Sequence, residues 1–319
     1  MSTAVQGLYA IVDVPHPFGL SVAEMTRAVL GDRLEGGADG ASVVQLRAKD
    51  ASTEQRVQWL QQMAPLCRDA NAMLVVNDDF EAALAVNADG LHLGQGDPGA
   101  DDLSALRRDA QRRGHANLQI GLSTHDLGQL RAAGKLAPDY LALGPIAPTR
   151  SKKNPDPIVG MPQLLDACRI ASRPLVAIGG LGQRSGAQAI EMGAAAVALI
   201  GALVFDSADR TRTEAISMSR AFRNAAAWLD LDEVHRQIPV LEREQLAELA
   251  RWGDNLGVHV GLGLPARFGP RIEDGAPQYR PCDVIDLVHA LGKHPGESWS
   301  EWSSRGAEEA GPLVQLRRE

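Results

Sequence analysis

The feature that most restricts this chain is a series of eight short, nearly unbroken apolar runs. They are GLYAIVD (7–13), SVVQLRA (42–48), MLVVND (73–78), GLHLG (90–94), LQIGLS (118–123), YLALGP (140–145), PLVAIGG (174–180) and AAVALIGAL (195–203). A strand with one face in water alternates apolar and polar residues, whereas a strand covered on both faces is apolar throughout and belongs to a parallel sheet. Between the runs lie segments of helical period, among them Thr53–Ala70, Asp101–Arg113, His125–Ala133, Pro162–Ala171 and Arg184–Met192. Eight evenly spaced strand-helix units over about 220 residues predict an α/β fold, a (β/α)8 TIM barrel, in preference to an open doubly wound sheet.

The chain has 319 residues, so a barrel leaves a remainder. From Asp230 onward ten Lys and Arg stand against sixteen Asp and Glu, which places most of the formal charge of −8 in the last 90 residues. Four of the five tryptophans, Trp228, Trp252, Trp299 and Trp302, fall at or beyond residue 228. We therefore expect a barrel domain over 1–228 and a mainly helical or irregular C-terminal extension over 229–319. Within the extension LEREQLAELARW and CDVIDLVHAL have helical period, and GVHVGLGLP resembles a strand running into a turn. The acidic balance argues against a broad nucleic-acid-binding face. No apolar run reaches the roughly 18 residues of a membrane span, and the N-terminus lacks a basic stretch followed by an apolar one. A cytoplasmic protein is expected, with Cys67, Cys168 and Cys282 as buried thiols, since their wide spacing suggests neither a disulfide framework nor a metal site.

A barrel carries its chemistry at the C-terminal ends of its strands. Here run two ends in Gln45-Leu46-Arg47-Ala48-Lys49, run three in Asn77-Asp78-Asp79, run four leads to Gln95-Gly96-Asp97 and run five ends at Ser123. Run six continues into GPIAPTRSKKNPDP, run seven ends in Gly179-Gly180 and run eight passes through Ile200-Gly201. One such ending is ordinary turn chemistry; seven in succession describe a site on one rim. Asp78 and Asp97 are the hard oxygen ligands that Mg²⁺ takes when its remaining ligands are water and a substrate phosphate. Arg47, Lys49, Lys152 and Lys153 are cations at or beyond strand ends, suited to a diphosphate chelated to that ion, although Lys153 alone reads as a solvated surface group. Gly179-Gly180 lets backbone approach a ligand and leads N–H groups into the next helix, a second anion site.

Several residues carry plainer readings. Asp79 is expected to cap the helix that begins near Phe80. His92, in the middle of a run, reads as a packed core residue, and His125 contacts ligand or only caps; neither receives a catalytic role. The loop PTRSKKNPDP, stiff, polar and long for a strand-helix connection, is expected to close over substrate, with hydroxyls at Thr149 and Ser151. No Ser-His-Asp or Cys-His set falls at the strand ends, which disfavours acyl transfer.

LYAIVD, QLRAKD, VVNDD, ADGLHLGQGD, IGLSTH, LALGPIAPTRSKK, VAIGGL and ALIGAL, in this order from about Leu8 to Leu203, closely resemble the thiamine-phosphate synthases (thiamine-phosphate pyrophosphorylases). The resemblance implies a (β/α)8 enzyme that joins 4-amino-2-methyl-5-hydroxymethylpyrimidine diphosphate to a thiazole phosphate, releasing diphosphate and giving thiamine phosphate. By motif, Gln45, Leu46, Arg47, Ala48, Lys49, Asn77, Ser123 and Lys152 would bind the pyrimidine diphosphate. Asp78 and Asp97 would hold Mg²⁺, and Thr149, Arg150, Ser151, Gly180, Ile200 and Gly201 would bind the thiazole phosphate. Arg47, Lys49 and Lys152 would be catalytic, stabilising charge on the leaving diphosphate. The implied mechanism is dissociative: the aminopyrimidine ionises to a cation that the thiazole nitrogen attacks, without a protein nucleophile.

Two positions depart from the family pattern, which often has Thr-x-Thr before the loop lysine and a Ser at the last strand end. Thr149-Arg150-Ser151 keeps both hydroxyls, and Gly201 keeps a backbone N–H, so the thiazole phosphate site is expected to survive. Thiazole tautomerases share the barrel but do not need the metal and diphosphate set; a non-catalytic sensor of thiamine intermediates is the alternative outside enzymes. The expected partners are the two small-molecule substrates, with no nucleic acid and no membrane; a homo-oligomer is left open.

Overall fold

Each apolar run forms a strand because its β-branched and leucine side chains can be covered on two sides at once, and the glycines and Asn/Asp clusters that follow end it. In the computed structural model the strands are β1 (Gly7–Asp13), β2 (Val43–Arg47), β3 (Met73–Asn77), β4 (Gly90–Leu93), β5 (Gln119–Thr124), β6 (Tyr140–Leu143), β7 (Leu175–Ile178) and β8 (Ala196–Leu199). They pair in parallel in chain order, and β8 pairs with β1 to close an eight-stranded barrel. The helices between and after them are α1 (Val22–Leu30), α2 (Thr53–Asp69), α3 (Phe80–Ala85), α4 (Leu103–Arg112), α5 (Leu127–Lys135), α6 (Gly160–Ile170), α7 (Gln183–Glu191) and α8 (Ala208–Ala225). The last run is cut short at Leu199 because Gly201–Leu203 winds into a 3-10 turn. The structure describes residues 5–149, 151, 156–227, 229–239, 241, 243–252, 270–273, 276–291, 293, 298 and 300.

Strand side chains alternate between the barrel interior and the helix layer. The interior set includes Tyr9 and Ile11 of β1, Val43 of β2, Met73 and Val75 of β3, Tyr140 and Ala142 of β6, Val176 of β7, and Ala196 and Ala198 of β8. It fills the barrel as a core rather than leaving a pore. Continuing the same parity to the strand ends turns Asp13, Gln45, Arg47, Asn77 and Ile178 toward the axis. The sequence thus delivers its polar strand ends to one place by the same alternation that packs its core.

The helices start as their sequences dictate. Ser21 and Ser52 each accept from the backbone N–H three residues on, while Glu24 and Gln55 accept in return from the serine N–H, so α1 and α2 both open on capping boxes. Asp79 caps α3 through Ala82 N–H at 2.9 Å and also receives Thr53 Oγ1 and Arg56. Burial works against its charge, but these hydrogen bonds prevail and hold Asp79 below the usual carboxylate range.

The chain divides into two compact units, Met1–Ile190 with Ala194–Asn224, and Glu191–Gly193 with Ala225–Glu319. The second contains β9 (Leu229–Asp230), α9 (Leu231–Gln237), α10 (Arg243–Trp252), β10 (Arg271–Glu273), β11 (Ala276–Tyr279) and α11 (Pro281–Ala290). Its strands form an antiparallel sheet in the order β10-β11-β9, which the helical and irregular reading of the extension did not contain. Val234, Ile238, Leu246, Leu249, Tyr279, Val284 and Leu287 make its core. The helices expected in LEREQLAELARW and CDVIDLVHAL are α10 and α11; GVHVGLGLP, Trp228, Trp299 and Trp302 lie outside the described residues. Cys67, Cys168 and Cys282 are free and buried. Among the described residues no helix is long and apolar enough to cross a membrane.

Candidate active site

The C-terminal rim of the barrel surrounds a cavity of about 540 Å³, within the range of small-molecule sites. Gln45, Arg47, Lys49, Asn77, Asp78, Asp97, Ser123, Thr149, Ser151, Gly180, Ile200 and Gly201 all line it. Leu46 and Ala48 do not: both are buried on the opposite face of β2 and its continuation, where the pleat turns them toward the helix layer. Ala48 instead offers its carbonyl to Arg56. Arg150, Lys152 and Lys153 lie outside the described residues.

Asp78 sits where β3 turns into α3, with φ of 64°, a left-handed conformation that Asp tolerates better than most residues. Its N–H is held by the His92 carbonyl at 2.9 Å, which ties the end of β3 to β4. Asp97 is fixed from the β4 side, accepting the Gly94 N–H at 2.6 Å. The two carboxyl groups meet. Desolvation and the hydrogen-bonded, like-charged Asp97 push Asp78 up to about 7, against the pull of Lys49 and Arg47. Two acidic oxygens that must share a proton unless a cation separates them are the donor set a divalent ion fits. Among the described residues no group of three or more His, Cys, Asp or Glu could hold a metal, so the remaining ligands would be water or substrate oxygens.

Facing this pair, Arg47 is held by Asp13 at 2.6 Å, two residues that are register partners on β1 and β2. One guanidinium nitrogen is used in that contact, and the fork arrives oriented by it. On the far wall Gly180 has φ of 70°, and a Cβ there would come within 2.5 Å of the Ala147 and Pro148 carbonyls. Only glycine lets the end of β7 pass this close beneath the loop that follows β6. Thr149 Oγ1 accepts from Ser151 N–H at 3.3 Å, and a Cβ at Gly201 would lie 3.9 Å from Ser151 Oγ. Thr149, Ser151, Gly180 and Gly201 therefore form one wall, opposite the acidic pair and Arg47.

The cavity and its floor also hold residues to which sequence reasoning assigns no catalytic role: Tyr9 and Tyr140 carry no mark, His92 reads as packed core, and His125 as a ligand contact or a cap. Tyr9, His92 and His125 line the cavity, and Tyr140 lies beneath it. Tyr9 donates to Gln45 Oε1 at 2.8 Å and lies 3.0 Å from the Tyr140 hydroxyl; His92 Nδ1 lies 3.1 Å from the same hydroxyl. His92 Nε2 is 2.8 Å from Ser123 Oγ, and Gln45 Nε2 donates to Asn77 Oδ1 at 2.7 Å. Burial drives the His92 ring down to about 4, and burial raises both tyrosines, so the floor is uncharged near neutrality. The placement of Tyr9, His92 and Tyr140 inside apolar runs gave them the appearance of core. His125 approaches the Gly144 carbonyl at 2.7 Å and Asp156 at 3.5 Å.

A thiamine monophosphate synthase model matches residues 8–203, more than half of the chain and all eight strands. The chain belongs to the thiamine monophosphate synthase family. The thiamine-phosphate synthase of Chloroflexus aurantiacus is 36% identical over 197 residues, covering 62% of this chain and 84% of that protein. That of Chlorobium phaeovibrioides is 38% identical over 177 residues, covering 56% of this chain and 81% of its own length. A solved structure of the thiamine phosphate pyrophosphorylase from Pyrococcus furiosus superposes with a TM-score of 0.59 at 25% identity, over 70% of this chain and 99% of that one. The family match ends at residue 203, so the Ala225–Glu319 part of the second unit lies outside it.

Proposed function

We propose that this thiamine-phosphate synthase, a transferase, joins 4-amino-2-methyl-5-hydroxymethylpyrimidine diphosphate to a thiazole phosphate in the rim cavity, where Asp78 and Asp97 would hold Mg²⁺. The observation that carries the reading is the opposition of two anion-handling walls in one cavity: Asp78, Asp97, Arg47 and Lys49 on one side, Thr149, Ser151, Gly180, Ile200 and Gly201 on the other. The pyrimidine diphosphate lies against the first wall, contacting Gln45, Asn77 and Ser123, and the thiazole phosphate against the second.

In the reaction the bond from the pyrimidine methylene carbon to the diphosphate oxygen breaks, its electron pair leaving with diphosphate, and the thiazole nitrogen forms the new bond to that carbon. Arg47, steadied by Asp13, and Lys49 meet the charge that grows on the departing oxygen. Lys152 is assigned the same task on its motif. Bound Mg²⁺ would supply further charge neutralisation at the diphosphate. The uncharged floor and the apolar side chains of Ile11, Ala142 and Val176 keep bulk water from a carbon that is briefly electron-poor.

Incubating the protein with both substrates and Mg²⁺ should yield thiamine phosphate and one diphosphate per turnover. Turnover of the thiazole phosphate alone, without metal or pyrimidine diphosphate, would replace this reading with a tautomerase.

A further inference from the structure

Six side chains on the cavity floor form one unbroken hydrogen-bonded row: Asn77, Gln45, Tyr9, Tyr140, His92 and Ser123. The row crosses the barrel interior, from β3 through β2 and β1 to β6, β4 and β5. Its middle is closed to solvent, with Tyr9, Gln45, Tyr140 and His92 between 0% and 8% exposed, while Asn77 and Ser123 at its two ends reach the cavity. Room for it is made by sequence: a Cβ at Gly121 would come within 2.1 Å of the Tyr140 ring.

A hydroxyl has one proton, and a neutral imidazole has one N–H and one bare nitrogen. Those limits let the direction of every bond be deduced from one end. Gln45 gives its N–H to Asn77 Oδ1 and accepts at Oε1, so the Tyr9 proton points to Gln45. Tyr9 must then accept from Tyr140, and Tyr140, its proton committed, must accept from His92 Nδ1–H. His92 Nε2 is left bare and takes the Ser123 proton. At one end Asn77 keeps its N–H groups, and among the described residues they donate to no protein group. At the other, Ser123 presents only lone pairs. Reversing any one link would require reversing all of them.

We infer that Tyr9, Tyr140 and His92 are positioning residues that fix the polarity of the cavity floor, making Asn77 a donor and Ser123 an acceptor for a ring that carries an acceptor on one edge and an N–H donor on another. An amino-substituted azaheterocycle has that pattern, and its oxo counterpart reverses it. The inference rests on the reaction proposed above for the identity of the ring, and on the row alone for the polarity. A site whose buried partners are committed in this way rejects a ligand of opposite polarity, because accepting it leaves paired groups unpaired.

Two measurements on the full chain test it. In protein labelled with ¹⁵N-histidine, the His92 resonances, assigned by their loss in His92→Gln, should show a protonated Nδ1 and a bare Nε2; the Nε2–H tautomer overturns the inference. Titration calorimetry with Mg²⁺ present then compares the 4-amino and 4-oxo pyrimidine diphosphates. Wild type should prefer the amino compound by at least about tenfold. Tyr9→Phe and Tyr140→Phe, which remove one hydroxyl and little volume, should cut that preference at least about fivefold while circular dichroism and a cooperative thermal transition show both variants folded. A preference unchanged in both folded variants overturns the inference. A wild type that binds neither compound refutes the proposed reaction, and the histidine tautomer still decides the row.

Discussion

Asp78 is asked to do two things that pull apart. Its left-handed backbone carries a cost of order 1 kcal/mol that Gly or Asn would bear more easily, and its carboxyl is held against Asp97. A residue retained under both conditions is retained for its carboxylate. Asp78→Asn, which keeps the size and the tolerance of that conformation, should lower turnover at least about a hundredfold while leaving the melting temperature within about 2 °C. Equal losses of activity and stability would return Asp78 to a structural role. Asp97 differs, because its carboxylate also holds Gly94 N–H, so Asp97→Ala should lose both turnover and about 1 kcal/mol of stability in denaturant unfolding. His92 supplies a pH dependence. Its folded value of about 4 lies below the ordinary 6.5, so between these the unfolded chain binds more protons than the folded one. The stability His92 contributes is therefore present above pH 6.5 and lost as pH falls toward 4, by up to about 3 kcal/mol. The raised Asp78 carboxyl opposes this slope in the same window, so the His92 contribution is read as a difference: unfolding free energies of wild type should rise with pH relative to those of His92→Gln, and identical slopes would show that His92 contributes nothing.

At the scale of strands and helices, what was legible in the sequence was what depends on local composition. Seven of the eight unbroken runs matched their strands to within a residue or two, because burial on two faces leaves no polar position to blur the ends; the last overran β8 by four residues where the chain winds into a 3-10 turn, and the polar endings marked the rim. What was hidden depends on parity and register. A run with no alternation does not tell which of its residues face the axis, so Tyr9, Tyr140 and His92 read as ordinary core and Leu46 and Ala48 could not be separated from Gln45 and Arg47. The Asp13–Arg47 pair needs the β1-β2 register, which no single run encodes. Gly121 was invisible for the same reason, since its meaning comes from the neighbouring strand. On β5 it leaves the space that the Tyr140 ring of β6 occupies, and Gly121→Ala would drive a Cβ into backbone-anchored aromatic atoms at 2.1 Å. Overpacking of this kind should destabilise by about 2–3 kcal/mol in chemical denaturation and weaken pyrimidine diphosphate binding as well, because the Tyr140 hydroxyl is displaced. Unchanged stability would mean that the β5-β6 pair yields more easily than a closed barrel should.

For the whole molecule, the two units have different claims on function. Among the described residues, those lining the cavity lie at or before Ala202, and the family match ends at residue 203, while α8 completes the alternation of eight strands and eight helices. The barrel thus contains all the groups to which the reaction is assigned. The second unit has its own buried cluster around Tyr279 and Leu287, built from helices and a small antiparallel sheet, and it bears an acidic excess. A separate core of this kind is expected where a chain exceeds the size one hydrophobic core sustains. Removing residues 229–319 should leave a folded barrel that still makes thiamine phosphate within about threefold of the full chain, a margin smaller than the loss of one transition-state contact. A truncated barrel that folds and binds pyrimidine diphosphate but no longer turns it over, where the full chain does, would instead make the second unit part of the catalytic cycle; a full chain that binds but does not turn over would bring forward the sensor reading. Circular dichroism, calorimetric binding and the coupled diphosphate-release assay, run on the same preparation, separate these outcomes: the first reports folding, the second the barrel's substrate wall, and the third the chemistry.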